Sequence, residues 1–230
     1  MSNLSDSHRF NRAAAGASMI GSALLLLGAS LAWPSIKSDE AAQIAVIVAH
    51  PSRYYLATVL ILASSMLLVP ALIGLMAMAQ TRSPKLAHIG GSLSLLGALV
   101  AVGDSTTQLV VWQMGAHGAD TAQMAALLHR FDNTAGSSLV FTIGGLATLI
   151  GVAILAIALY RSRSAPAWAC AGIVAGTVLN IAGFSAGSTG ILILSGIVLV
   201  GSLGWIGWHV LTGQAREPRA PAFKPATIDA

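Results

Sequence analysis

The chain has 230 residues, of which 55% are hydrophobic and 9% charged, with a formal net charge of +4. A soluble domain carries roughly 25% charged residues, so a water-soluble enzyme or carrier is excluded. Six membrane spans of about 20 residues use roughly 120 positions, which leaves only short loops and tails. No basic, aromatic-rich surface is present, so nucleic acid is not expected as a partner.

Residues 1–12 are polar and are expected to form a disordered tail. The first span is expected over 13–33. Its basic start (His8, Arg9, Arg12) and its Ser30-Leu31-Ala32 resemble a signal peptide with a cleavage site. Its apolar run of about 20 residues exceeds a signal core of 7–15, so an uncleaved helix is expected. In the loop that follows, Ser38 is positioned to cap a short helix carrying Asp39 and Glu40 in its first turn. That helix continues through Ile44, Ile47 and Val48 and must end near His50, because Pro51 follows. The second span is expected over 54–78, with a kink at Pro70, and the third over 86–112. The next loop has Asp120 as a cap and Gln123 at the capping-box position. Met124, Leu127, Leu128 and Phe131 then share one helical face. Both short helices are expected to lie on the outer surface. The remaining spans are expected over 136–160, 167–184 and 190–211. The segment 212–230, with Pro218, Pro221 and Pro225, is expected to be a second disordered tail. The fold predicted is all-α: a six-transmembrane-helix bundle over 13–211 with two short outer interfacial helices.

Charge sets the orientation. Of twelve Lys and Arg, nine fall in alternate gaps: Arg9 and Arg12, Arg82 and Lys85, Arg161 and Arg163, and Arg216, Arg219 and Lys224. Only Lys37, Arg53 and Arg130 occupy the other gaps. The positive-inside rule then places both termini in the cytoplasm, in a cell inner (plasma) membrane. All five Trp and all three Tyr fall near span ends, as an aromatic belt requires.

The 24 glycines suggest close helix packing. Gly21 and Gly28, Gly90 and Gly97, and Gly144 and Gly151 are each seven apart on one face. Gly172 with Gly176 and Gly183 with Gly187 form G-x-x-x-G pairs. The simplest use is packing between helices; a homo-oligomer through these faces and an inverted repeat of the transporter kind are the alternatives. Cys170 is the single cysteine, so no internal disulfide is possible.

Polar groups inside a membrane are costly, and most of them here fall in the outer half. Asp104 is the only acid within any span. It shares a face with Thr107 and Gln108 and lies about 27 Å along its helix from residue 86. Each short outer helix ends with a histidine and an arginine near a span: His50 with Arg53, and His129 with Arg130. These residues, with Asp104, Gln108, Asp132 and Asn180, are the candidate ligand-binding set, and Ser137 and Ser138 lie near the same depth. The functional reading is an outward-facing polar pocket roofed by the two short helices. The structural reading is an interfacial network in which Asp104 is ionised and paired with Arg53 or Arg130 and only pins the loops.

Specific chemistries have little support. His50, His129, Asp104 and Asp132 supply metal-ligand types, but no H-x-x-x-H or H-E-x-x-H is present. His88 and His209 are the pair available to a haem, yet both sit near the cytoplasmic face, where interfacial histidine is commoner. No G-x-S-x-G and no phosphate-binding glycine loop occurs. No catalytic residue, metal or cofactor is assigned. Three classes remain: a binding or accessory protein, favoured because the inner halves of the spans are almost wholly apolar; a small-solute transporter; and an intramembrane metal- or haem-dependent enzyme. Expected partners are membrane lipids and a small-molecule ligand or partner membrane protein.

The stretch Ala49-His50-Pro51-Ser52-Arg53-Tyr54-Tyr55 leads into a span containing Val69-Pro70-Ala71-Leu72-Ile73-Gly74-Leu75. A short basic loop is then followed by Ile89-Gly90-Gly91. In these features the chain resembles, over about residues 10–212, an uncharacterised bacterial family of six-helix integral membrane proteins. The resemblance implies a bacterial inner membrane and carries no activity and no functional residues.

Overall fold

A computed structural model describes residues 2–35, 39–115 and 119–213, with side chains from Phe10 onward. Among the described residues there are eight helices and no strand. They are α1 (Ser2–Ala32), α2 (Glu40–Ala49), α3 (Pro51–Gln80), α4 (Pro84–Met114), α5 (Thr121–Asp132), α6 (Ala135–Ser162), α7 (Ala167–Ser185) and α8 (Thr189–Leu211). Six of them are long and apolar enough to cross a membrane: α1 from Phe10 onward, α3, α4, α6, α7 and α8. These match the six expected spans. α1 begins at Ser2, so the segment expected as a disordered tail is helix from that residue. Residues 214–230, most of the second expected tail, lie outside the described residues.

The spans form a closed ring. α1 packs on α3 and α8, α8 on α7, α3 on α4, α4 on α6, and α6 more lightly on α7, while α3 and α6 touch across the middle. With little hydrophobic force between helices in lipid, close backbone approach supplies the attraction. Two reciprocal glycine crossings show it. A Cβ on Gly90 would lie 2.6 Å from the Leu155 nitrogen and 2.9 Å from the Gly151 oxygen. On the other side of the ring, a Cβ on Gly16 would lie 2.8 Å from the Gly207 oxygen, and one on Gly207 would lie 2.7 Å from the Gly16 oxygen. Hydroxyls add cross-helix bonds: Ser64 donates to the Ser22 carbonyl (2.8 Å) and Ser195 to the Gly176 carbonyl (2.9 Å). The glycine faces noted in the sequence are therefore used within the chain.

The main core fills the half of the bundle nearer the basic loops, around Met19, Leu72, Leu75, Leu155, Leu159 and Ile206. The other half is looser. The first nine residues of α6, 135–143, contain no buried side chain. A smaller cluster of Trp33, Ile44, Ile47, Tyr54, Ala57, Val111 and Leu128 closes that end beneath α2 and α5. These two short helices pack on each other. Asp39 caps α2, its carboxylate accepting from the Ala42 N–H at 2.7 Å. The expected cap, Ser38, lies outside the described residues. Asp120 caps α5 as expected, accepting from the N–H groups of Ala122 (3.0 Å) and Gln123 (3.2 Å).

Candidate functional site: a polar chain beneath two surface helices

Tyr54 organises the end opposite the basic loops. It is on the fourth residue of α3 and is 1% exposed, whereas its neighbour Tyr55 is 45% exposed and tilts against Trp112 with ring centroids 4.7 Å apart. A turn of 100° per residue puts adjacent side chains on different faces, so Tyr55 belongs to the interfacial belt and Tyr54 to the interior. The Tyr54 hydroxyl donates to the Gln108 side-chain oxygen of α4 at 2.6 Å. The Gln43 side chain of α2 hydrogen-bonds the same hydroxyl. One turn along α4, the Gln108 side chain lies beside the Asp104 carboxyl, close enough to act on it. A chain of polar groups thus runs Gln43–Tyr54–Gln108–Asp104 and joins α2, α3 and α4. It continues electrostatically, because Asp132 at the end of α5 is close enough for its charge to act on Asp104.

The two surface helices are tied above this chain. His129 Nδ1 of α5 meets Glu40 Oε1 of α2 at 2.9 Å. That hydrogen bond holds the Glu40 carboxyl below its ordinary value, with the charge of His129 as a lesser cause. Asp132 moves the other way. Partial burial raises its carboxyl and the nearby Glu40 charge adds to this, while His129 partly offsets both. Asn133 donates to the His129 carbonyl at 2.8 Å, which fixes the end of α5.

Of the candidate residues, Asp104, Gln108, His129 and Asp132 gather here. His50, Arg53 and Arg130 are exposed at the rim. The expected ion pair of Asp104 with Arg53 or Arg130 does not form: the only ion pair between described side chains is His129 with Glu40, and Asp104 faces Gln108, Tyr54 and Asp132. The reason is geometric. Arg53 precedes Tyr54 by one residue and so leaves α3 on another face, and the Arg130 Nε turns back to the Ala126 carbonyl at 3.4 Å. Asn180 is on α7, where its Nδ2 is buried with no hydrogen-bond partner, as is Nε1 of Trp33. One turn beyond Asn180, Phe184 meets Trp33 edge-on at 5.9 Å, and Trp33 in turn meets Tyr54 at 5.4 Å. Ser137 donates to the Phe131 and Thr134 carbonyls.

Sequence reasoning missed Tyr54, Trp33, Gln43 and Glu40. The two aromatics had been assigned to the interfacial belt and Glu40 to the first turn of the first short helix, and Gln43 was not singled out. Two cavities are described, and neither is lined by the candidate set. One of about 470 Å³ lies between α2 and α5 and is bordered by Ala45, Val48 and Thr121. The other lies at the opposite end of the bundle. Among the described residues no three of His, Cys, Asp and Glu are grouped to hold a metal ion. His88 and His209 each direct Nδ1 to a carbonyl of their own helix, Pro84 (2.7 Å) and Trp205 (2.9 Å).

No curated protein and no solved structure matches the chain. The family described as "Domain of unknown function (DUF4386)" matches residues 14–213, nearly the whole bundle, and the chain belongs to that family.

Proposed function

We propose that the protein is a multi-pass protein of a bacterial inner membrane, with both termini in the cytoplasm, that binds a small polar ligand at its outer end. The observation that carries this reading is the chain Gln43–Tyr54–Gln108–Asp104, because polar groups held at membrane depth are costly and tend to mark a site of use. Asp104, Gln108, His129, Asp132 and Asn180 supply the binding groups, and His50, Arg53 and Arg130 guard the rim. With Asp104, Asp132 and Glu40 on one side of the site, the ligand is a hydrogen-bond donor or a cation. α2 and α5, joined through Glu40 and His129, act as the lid.

Binding is favoured over transport by the mid-depth hydroxyls. Ser64, Ser195 and Thr148 each donate to a backbone carbonyl (2.8, 2.9 and 2.8 Å), and Ser65 and Ser105 share a 3.5 Å contact. None of these continues the polar chain toward the basic end, and a transporter needs such a path.

The test is a thermal-shift screen of the purified chain in detergent against fractionated small-molecule extracts of the producing cells. A fraction that raises the melting temperature of the wild type, but not of Asp104→Asn or Gln108→Leu, supports binding here. Shifts that persist in both variants, or a complete absence of shifts, overturn it. Reporter fusions after residues 37, 83, 118, 162 and 220 test the orientation, and an inside signal at 118 overturns it.

A further inference from the structure

The cavity at the opposite end of the bundle is built differently. It is an open groove of about 390 Å³ between the end of α3, the α6–α7 loop and the end of α8. Its lining combines apolar Met78, Ala165 and Ile206 with polar Tyr160, Arg163, Ser164 and His209, and includes no acid. The loop is fixed in place, since Ser164 Oγ donates to the Met78 carbonyl of α3 at 2.9 Å. On α8, Trp205 and His209 stack with ring centroids 3.8 Å apart. His209 spends Nδ1 on the Trp205 carbonyl, which leaves Nε2 as its remaining hydrogen-bonding atom.

Arg163 is the unusual residue. It ends α6 in the left-handed conformation, with φ 56° and ψ 27°, and is the only non-glycine residue with positive φ among those described. The Ser164 N–H reaches back to the Leu159 carbonyl (3.1 Å) and the Arg163 N–H to the Tyr160 carbonyl (3.0 Å), which is the six-to-one helix ending that glycine normally serves. A Cβ costs free energy at such a position, so a long cationic side chain there suggests that the charge has a use.

Charge across the molecule is segregated in the same sense. Among the described residues, Asp39, Glu40, Asp104, Asp120 and Asp132 belong to the far end with Arg53 and Arg130, while Arg12, Arg82, Lys85, Arg161 and Arg163 belong to this one with Asp6 of α1, so acids outnumber bases there and bases outnumber acids here. Exposed Tyr160, Trp168 and Trp208 flank the groove, as side chains at an interface between hydrocarbon and water do. An inorganic anion would need the cation but not the apolar lining.

We infer that this groove is a binding site for a phospholipid with an anionic headgroup. The headgroup phosphate is held by Arg163 with Tyr160 and His209, and the acyl chains leave past Met78 along the exposed apolar surface beside the groove. Basic pockets beside membrane helices recognise acidic headgroups in this way.

The experiment measures melting temperature for the full chain in detergent with added dioleoyl phosphatidylglycerol, dioleoyl phosphatidylcholine or inorganic phosphate. Phosphatidylglycerol is expected to raise it by roughly 5 °C at saturation, with the other two near zero. Arg163→Gly keeps the left-handed ending without strain, so it should fold as well as the wild type and lose most of that rise. Arg163→Asn, which tolerates the same backbone, should behave alike. Equal stabilisation by both lipids, a full effect from phosphate alone, or an undiminished rise in both variants would overturn the proposal. Tryptophan quenching by brominated phosphatidylglycerol, exceeding that by brominated phosphatidylcholine in the wild type alone, is the second readout. Equal quenching by the two lipids counts against the site.

Discussion

The Tyr54 hydroxyl and the Gln108 side chain meet at 2.6 Å across the α3–α4 boundary, and each has a further partner on its far side, Gln43 and Asp104. Tyr54→Phe keeps the ring against Trp33 but leaves the Gln108 oxygen without the donor it has in the wild type. Leaving a buried polar group unsatisfied costs about 1–3 kcal/mol, and the loss should appear as reduced thermal or denaturant stability in detergent. Gln108→Leu should lose a similar amount. The double variant should lose less than the sum, because the two residues share one bond. Strict additivity would show that the bond contributes nothing.

Arg53 and Arg130 make no ion pair with Asp104, so their removal should be mild. Arg53→Ala and Arg130→Ala are each expected to change stability by less than about 0.5 kcal/mol, as exposed substitutions generally do. Asp104→Asn combined with either should be additive. A loss of about 3 kcal/mol in one arginine variant, absent when Asp104 is also replaced, would restore the buried pair.

The lid should respond to pH in two opposite ways. Glu40 has its carboxyl lowered by His129, so its contribution is present above the unfolded carboxyl value and is lost as pH falls through the folded one. Glu40→Gln should therefore lower the melting temperature at neutral pH, and the difference should fade as pH falls through the lowered folded value. Asp132 has its carboxyl raised, chiefly by burial, so it favours the folded state in acid and opposes it as pH rises through the folded value. Asp132→Asn should raise the melting temperature at neutral pH, and the gain should vanish in acid. A pH profile in which both variants shift in the same direction contradicts this arrangement.

Gly90 and Gly151 should resist even alanine. The added Cβ at Gly90 meets the Leu155 nitrogen and the Gly151 oxygen, backbone atoms that cannot swing aside. A cost of about 1–3 kcal/mol is expected from forced separation of α4 and α6, read as a lower melting temperature. Gly103→Ala on the same helix meets nothing within 4 Å and should stabilise by up to about 1 kcal/mol. Equal effects at both positions would mean that the crossing is looser than described.

Apolar run length and cap chemistry made the architecture readable in advance. Six runs long enough for hydrocarbon, Asp120 as a cap and Pro51 as a stop were enough to locate the spans and both surface helices. Rotation about each helix axis was not readable. Tyr54 and Tyr55 are equally good belt residues by position, and only the placement of α2 and α4 decides which one turns inward. The same uncertainty put an arginine beside Asp104, since depth along a helix is countable from sequence and azimuth is not. Gly16 and Gly207 were overlooked because their match is between helices almost two hundred positions apart, and a pattern within one helix cannot reveal it.

That last crossing bears on how the protein is made. α1 is synthesised before α8, yet one of its two long faces, through Gly16, Met19 and Ile20, packs on Gly207 of α8. During synthesis this face must be tolerated by lipid or shielded by the insertion machinery until α8 is released. Chains truncated before Thr189 should keep α1 held to α3 through Ser64 and Ser22 but present a raw seam to the bilayer. Such fragments are expected to be substrates for membrane proteases, so a truncation that removes α8 should deplete the protein rather than leave a shortened survivor.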